Sequence, residues 1–373
     1  MRRSSRPIHG KSAVVIGAGA IGSHLLEHVA RMPEVDRVTV VDRDVYQPKN
    51  LWSQAISPRE AGCNKAVVWA ARMRRIRPEL QVTALAADVR DIPLAHFQSD
   101  VILSCVDSRL ARQLISQKAH RLGVPWIDAG IDAGSLLARV STYRPAADQP
   151  CLECSWGDRD YAALEVEYAC QEPSRQPPTN APSSLGALAA ALQSIEGHKV
   201  FRQPDDTTWG RQILMDARVH KHYVSRYVRN PDCRFDHRVW DRIDGIPRAA
   251  RDVTIADALG IAGIRGSSTS LVALSVEMHT FVQRSVCFEC GHEERIRPLP
   301  KLDASLANRR CRRCGCELVP LGIGLLSCID MGKFPRRMFR RSLRDLGLRP
   351  GDIYTIHDSK GERHFRIPLE KPS

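Results

Sequence analysis

Three glycines follow the first apolar run of the sequence at a spacing that suits phosphate binding. The run SAVVI ends at Ile16, and Gly17, Gly19 and Gly22 lead into a helical pattern. In such a turn one glycine permits the tight bend, one lets backbone approach phosphate, and one lets the helix touch the strand. Free N–H groups at the helix N-terminus favour an anion there. The pattern predicts a nucleotide site, in which the nucleotide is either a redox carrier or a reactant.

An acidic residue ends the next predicted strand. Asp42 follows RVTVV, at the position where a carboxylate accepts the hydroxyl groups of a ribose. The glycine motif and this acid are together typical of an NAD-dependent dehydrogenase, but the motif by itself is weak evidence. A structural glycine turn without a ligand is the alternative to any nucleotide site.

Cysteines form the second chemical pattern. The chain has 12 of them and shows no export signal, so metal or thiol chemistry is favoured over disulfides. Two CxxC pairs, in CFEC and CRRC, have the spacing of a zinc ribbon, and a four-ligand site of this kind is structural. Cys316 is an alternative ligand in this region. The predicted ribbon ligands are Cys287, Cys290, Cys311 and Cys314.

Alternating strands and helices position these residues. Apolar runs separated by helical patterns predict a parallel, doubly wound α/β sheet through the first 150 residues. Residues 170–184 are rich in proline and polar residues and predict a long loop. A strong helical pattern follows at 185–201, and residues 210–228 read as two strands around a tight reversal.

The net charge and the lengths of the apolar runs indicate which kinds of partner to expect. Lys+Arg 55 against Asp+Glu 42 gives a formal charge of +13, which favours an anionic partner or a solvated basic surface. No apolar run reaches the length of a membrane span, so we expect a cytoplasmic protein without membrane contact.

The stretches after Asp42 resemble the ThiF/MoeB/ubiquitin-activating enzyme family. VDRDVYQPKNLWSQ, GCNKAVVWAARMRRIRPELQV and SCVDSRLAR occur in the family's order and spacing, and the likeness continues to about residue 237. In that family ATP is a reactant that adenylates the C-terminal carboxylate of a ubiquitin-like or sulfur-carrier protein. The resemblance therefore disfavours the dehydrogenase.

The resemblance also implies roles for single residues. Asp42 would hold the ribose, Asn50 would contact the nucleotide, Lys65 would reach the phosphates, and Asp107 would organise Mg²⁺. Arg112 matches an arginine of the family pattern, and Asp44 and Gln54 match its nucleotide-binding positions, although Asp44 could instead cap a turn.

Two departures from the family concern positive charge. Ser53 stands where the family has an arginine; either Lys49 or an arginine from elsewhere replaces that charge, or the activity is weakened. Family members also lend an arginine to the ATP site of a partner subunit in a homodimer. Arg2, Arg3 and Arg6 are the candidates for that role, with a basic tail as the alternative.

The remaining cysteine predictions come from the resemblance. It pairs Cys151 and Cys154 with Cys233 and His237 in a second structural zinc site, giving two zinc ions, although pairs could exchange between the sites. It also places a reactive cysteine in the crossover loop, where Cys170 lies. An inert loop cysteine is the alternative.

Three domains are expected. Residues 1–245 form the ThiF-type adenylation domain with crossover loop 170–184, residues 246–325 contain the zinc ribbon, and residues 326–373 form a small β-rich region. The hairpin pattern around DSKGE in this last region resembles the ubiquitin fold that docks a conjugating enzyme, with a generic β appendage as the alternative.

Three functions compete on this basis. The first is activation of a ubiquitin-like protein through a thioester on Cys170, with handover to a conjugating enzyme. The second is activation of a sulfur carrier for thiamine or molybdopterin synthesis, which would not need the C-terminal residues. The third is nucleic-acid binding through the ribbon, which leaves the nucleotide motif unexplained.

Overall fold

The apolar runs of the first part of the chain pair into one large sheet. The computed structural model describes residues 10–165, 181–202, 209–264, 271–277, 279–300, 310–320 and 325–370. The chain divides into one unit of Met1–Ile92 with Phe97–Val239, and another of Pro93–His96 with Trp240–Ser373.

The first unit alternates strands and helices in the predicted order. It begins with β1 (Lys11–Ile16), α1 (Gly22–Ala30), β2 (Val35–Val41), α2 (Lys65–Ile76), β3 (Gln81–Leu85), β4 (Val101–Ser104), α3 (Arg109–Leu122) and β5 (Trp126–Asp132). It continues with β6 (Leu137–Tyr143), α4 (Asp158–Glu165), α5 (Ser183–Arg202), β7 (Arg211–Asp216) and β8 (Lys221–Arg226).

The sheet of the first unit has the strand order β3-β2-β1-β4-β5-β6-β7-β8. The strands from β3 to β5 are parallel, and β6, β7 and β8 extend the sheet by antiparallel pairing. The predicted α/β fold with a large parallel sheet is confirmed, and so is the reversal between β7 and β8. The antiparallel pairing of β6 with β5 was not anticipated.

Helices cover both faces of this sheet. Leu25 of α1, Trp69 of α2 and Leu185 of α5 lie in the core on one face. Ile115 of α3 lies in the core on the other face. The helix α5 begins at Ser183, inside the loop predicted to reach residue 184. Within the described residues, every helix is too short or too polar to cross a lipid bilayer.

The second unit is rich in short strands. Its elements are β9 (Ile243–Gly245), α6 (Ile255–Ile261), β10 (Ala273–Val276), β11 (His279–Val286), β12 (Glu293–Pro300), β13 (Val319–Pro320), β14 (Leu325–Leu326), β15 (Cys328–Asp330), β16 (Ile353–Asp358) and β17 (Gly361–Arg366). One sheet has the order β15-β10-β16-β17-β9, and β11 pairs with β12, β13 and β14 in another.

The predicted hairpin around DSKGE is present as β16 and β17, which pair antiparallel. The same sheet includes β9 and β10, so strands on both sides of the expected boundary at residue 326 belong together. The three-domain division and the likeness to a ubiquitin fold stay predictions. The segment before the hairpin forms a 3-10 turn over Arg344–Leu346.

The glycine turn joins β1 to α1 at the carboxyl end of the sheet. Gly17 has φ +93°, and a Cβ there would lie 2.6 Å from the Cys105 carbonyl oxygen. A Cβ on Gly22 would lie 1.9 Å from the Gly17 carbonyl oxygen, whereas a Cβ on Gly19 would meet nothing within 4 Å. Two glycines therefore close the turn, and the third faces open space.

Replacing Gly22 with alanine tests this packing. The new methyl group would force the turn apart, so Gly22→Ala should lower the free energy of unfolding by roughly 1–3 kcal/mol. Gly19→Ala is the matched control, and it should stay within about 0.5 kcal/mol of the parent because its site is open. Urea denaturation measures both values, and equal losses in the two variants would contradict the packing.

Candidate functional site

Asp42 is held against the glycine turn by backbone groups. Its Oδ2 accepts a hydrogen bond from the Ala18 N–H at 2.7 Å, and its Oδ1 accepts one from the Asp44 N–H at 2.8 Å. Burial raises the pKa of Asp42, against the opposing effects of the Ala18 N–H and Lys65. Each carboxylate oxygen keeps a further lone pair, which suits acceptance from a ribose hydroxyl.

The turn itself is fixed by two aromatic side chains. The Tyr46 hydroxyl donates to the Ala18 carbonyl oxygen at 2.8 Å, and the Trp69 indole N–H donates to that hydroxyl at 2.9 Å. Both side chains are buried. Sequence reasoning did not single out either residue, because a buried aromatic in an apolar pattern looks like ordinary core.

Lys65 lies at the start of α2 and points toward the acidic pair. Asn64 caps this helix and donates through Nδ2 to the carbonyl oxygens of Asp42 and Asp44, each at 3.1 Å. Lys65 Nζ is 3.3 Å from Asp44 Oδ2, and its side chain is only 9% exposed. An ammonium group held beside a largely exposed carboxylate can exchange that partner for a phosphate. The predicted Asp42, Asp44 and Lys65 are therefore brought together.

Asn50 and Gln54 lie in the segment between β2 and α2. Asn50 Oδ1 accepts from the Gln47 N–H at 2.8 Å and closes a capping box, which fixes the orientation of this side chain. Gln54 Oε1 is buried and has no hydrogen-bond partner among the described residues. An unsatisfied buried amide oxygen is costly, so a donor from a ligand or water would be favourable there.

Arg72 lies near Ser53, but it does not simply replace the positive charge that the family arginine would supply there. Arg72 donates to the Ala55 carbonyl oxygen at 2.6 Å, two residues beyond Ser53. It is also paired with Glu60, to which its Nε donates at 2.6 Å, so its charge is neutralised. Lys49 is exposed, and Arg2, Arg3 and Arg6 lie outside the described residues.

Asp107 lies just beyond the carboxyl end of β4 and is exposed. In the described part of the chain its carboxylate has no hydrogen-bond or ion-pair partner. Cys105, two residues earlier, borders Gly17 of the turn. A free carboxylate at this edge of a parallel sheet suits a hard cation such as Mg²⁺.

Arg112 has a partner that the sequence did not reveal. Its Nε is 3.0 Å from Asp128 Oδ2, and the same carboxylate is bound by Arg139 Nη2 at 2.9 Å. Asp128 and Arg139 occupy neighbouring strands, and no motif marks them. Only the register of β5 and β6 brings them together.

Cys151, Cys154, Cys233 and His237 form one cluster, with all four ligand atoms within 4.8 Å of one another. Cys151 Sγ is 3.9 Å from Cys154 Sγ and 3.8 Å from Cys233 Sγ. Tetrahedral zinc with sulfur at about 2.3 Å requires sulfur separations of about 3.8 Å. His237 Nδ1 donates to the Gln149 carbonyl oxygen at 3.1 Å, which leaves Nε2 free to bind a metal.

The ribbon cysteines form the second cluster, composed of Cys287, Cys290, Cys311 and Cys314. The Sγ atoms of Cys287 and Cys314 are 3.4 Å apart, and those of Cys290 and Cys311 are 3.6 Å apart. Cys316 is not part of this group. Both clusters can hold zinc with the predicted pairs, while metal binding and the number of ions stay predictions.

Comparison with known proteins identifies the family of this chain. The model of the ThiF family matches residues 4–235. The chain belongs to the ThiF family. E1-like activating enzymes of this family are ATP-dependent adenylyltransferases.

Individual relatives are distant. The chain is 26% identical over 226 residues to the SAMP-activating enzyme E1 of Haloferax volcanii, covering 59% of this chain and 78% of that protein. It is 22% identical over 200 residues to ubiquitin-like modifier-activating enzyme 5 of Xenopus laevis, and the match covers 48% of each protein. The chain thus spans about half the length of the frog relative.

A solved structure supports the fold. The crystal structure of E. coli MccB with ATP aligns with a TM-score of 0.50 and 19% identity, covering 61% of this chain and 66% of that chain. The family resemblance inferred from the sequence is confirmed. The roles of single residues stay predictions, and Cys170 lies outside the described residues, as does most of the predicted crossover loop.

The two cysteine clusters predict two zinc ions per chain. Cys151→Ser should remove one ion and lower the melting temperature, because binding of a structural metal contributes directly to folding. Cys290→Ser should remove the other ion. Elemental analysis and thermal denaturation measure these effects, with Cys63→Ser as a control that keeps both ions. A single ion in the parent protein would eliminate one of the two sites.

Proposed function

We propose that this chain is an activating enzyme that uses ATP to adenylate the C-terminal carboxylate of a ubiquitin-like protein. One observation carries the proposal. The ends of β1, β2 and β4 bring the glycine turn, the Asp42–Asp44–Lys65 group and Asp107 to the same edge of the sheet. ThiF family membership supports a reaction in which ATP is consumed.

The chemistry suits these residue types. A carboxylate oxygen of the carrier attacks the α-phosphorus, the bond from that phosphorus to the bridging oxygen breaks, and pyrophosphate leaves. Both reactants are anionic, so positioning and charge neutralisation must lower the barrier. Asp42 would orient the ribose, and Lys65 would leave Asp44 to bind a phosphate oxygen. Mg²⁺ would supply further neutralising charge, held by Asp107.

A second step would move the carrier to a thiol. The Cys170 thiolate attacks the acyl carbonyl, AMP leaves, and the carrier is held as a thioester for handover to a conjugating enzyme. Support for this step is the family resemblance and the position of Cys170 between α4 and α5. We also propose a homodimer in which Arg2, Arg3 or Arg6 reaches the partner's ATP.

The adenylation step is tested by exchange of labelled pyrophosphate into ATP in the presence of the carrier protein. Asp107→Ala should reduce the exchange rate by about 100-fold or more, since a positioned charge at a phosphoryl group is lost. The exposed Asp148 supplies the matched control, and Asp148→Ala should exchange normally. Normal exchange by Asp107→Ala would remove Asp107 from the site, and hydride transfer to NAD would overturn the whole proposal.

The thioester step is tested on a non-reducing gel. Cys170→Ala should retain pyrophosphate exchange but lose the carrier adduct that reductant releases, because adenylation precedes attack by the thiol. Cys63→Ala is the control. It removes an exposed thiol that lies two residues before Lys65, and the adduct should remain. An adduct that survives in Cys170→Ala would point to another thiol. No adduct in the parent protein would instead favour a sulfur-carrier substrate, to be followed by a sulfide-transfer assay.

A further inference from the structure

A fully buried carboxylate lies between two arginines on the α3 side of the first unit. Asp128 is 0% exposed, and its Oδ1 accepts from the Ser104 hydroxyl at 2.7 Å. Its Oδ2 is 3.0 Å from Arg112 Nε and 2.9 Å from Arg139 Nη2. The Trp126 indole N–H donates to the Ser104 hydroxyl at 2.8 Å and fixes that partner.

The stability of the fold does not by itself explain why Asp128 is buried between two arginines. Removing a carboxylate and a guanidinium from water costs several kcal/mol per ion, and apolar replacements of buried ion pairs are often neutral or stabilising. Two guanidinium groups against one carboxylate also leave one excess positive charge. The side chains of Arg112 and Arg139 are 19% and 25% exposed, so their outer edges reach the surface.

Gly130 leaves room for the two guanidinium groups beside β5. A Cβ on Gly130 would lie 3.0 Å from Arg139 Nη2 and 3.1 Å from Arg112 Nη2. The absence of a side chain therefore lets both groups lie against β5. In the described part of the chain, Arg112 Nη1 has no hydrogen-bond partner, so donors remain for a ligand.

The register places this cluster next to the candidate ATP site. Ile16, which precedes the glycine turn, is opposite Ser104, and Ser104 is opposite Asp128. Arg112 lies in the first turn of α3, a helix that begins two residues after Asp107. An anion bound by the arginines would therefore lie at the same sheet edge as the candidate Mg²⁺ ligand.

We propose that Arg112 and Arg139 form the subsite that receives the C-terminal carboxylate of the carrier before adenylation. Guanidinium groups bind carboxylates through paired, charge-assisted hydrogen bonds. Adenylation turns the carboxylate into a neutral acyl group, so the ion pair weakens after the reaction and the acyl end is released toward the thiol. This inference rests on the proposed function and adds Arg139, which the family pattern does not contain.

Binding of two small probes tests the subsite. N-acetylglycylglycine has a free carboxylate. In the matched probe an uncharged amide replaces that carboxylate. Saturation-transfer NMR is recorded on the full chain with Mg²⁺ and a non-hydrolysable ATP analogue. The parent protein should prefer the acid over the amide, and Arg139→Met should weaken binding of the acid by about tenfold. Affinity for the ATP analogue should not change.

Arg144→Met is the control, because Arg144 is exposed and directly follows β6. It removes one charge outside the cluster and should bind both probes as the parent does. Arg139→Lys keeps the charge but loses the planar fork, and should show an intermediate preference. If Arg139→Met does not fold, Arg139→Lys carries the test.

The outcomes separate the two proposals. Equal binding of acid and amide by the parent, or an unchanged preference in the folded Arg139 variants, would overturn the subsite while leaving the proposed function intact. Failure of the parent to bind the ATP analogue would instead overturn the proposed function.

Discussion

The candidate site depends on the pairing of β1 with β2 on one side and β4 on the other. Ile16 is opposite both Val41 and Ser104, so the three strands end at the same level. The chain leaves β1 and β4 in different directions, which opens a crevice at this edge. Gly17 lies so close to Cys105 that no side chain fits between the turn and β4. That contact brings the glycine turn to the same edge as Asp42 and Asp107, which follow β2 and β4.

The sequence predicted the parts of this arrangement that are local. Continuous apolar runs mark buried parallel strands, and glycines at fixed spacing mark the turn, so β1 to β5 and the glycine turn could be anticipated. Asp42 could be placed at this edge because it ends a recognisable strand, whereas the role expected of Lys65 was implied by the family resemblance. The ribbon cluster follows from two short CxxC spacings that constrain ligand geometry, whereas the pairing of Cys151 and Cys154 with Cys233 and His237 was implied by the resemblance.

The parts that could not be predicted depend on strand register between distant residues. Asp128 and Arg139 meet because β5 and β6 pair with Gly130 opposite Arg139, and nothing local to either residue signals this. In the second unit β9 pairs with β17 across more than a hundred residues, and nothing local to either strand signals this pairing. Such pairings reflect burial of whole strand faces, which residue types alone do not specify.

The sequence position of Cys170 can be related to a fixed point in the structure, the start of α5. The helix α5 begins against the glycine turn, since His24 Nε2 is 3.0 Å from Ser183 Oγ and a Cβ on Gly186 would lie 2.2 Å from the Ala20 carbonyl oxygen. Ser183 is thirteen positions after Cys170, and a fully extended chain of that length spans at most about 45 Å.

The proposed thioester step would use a cysteine whose segment joins α5 beside the glycine turn. The Cys151–Cys154–Cys233–His237 cluster adds a second constraint, since its ligands come from before α4 and after β8. A metal bound there would hold together the two ends of the stretch that contains Cys170.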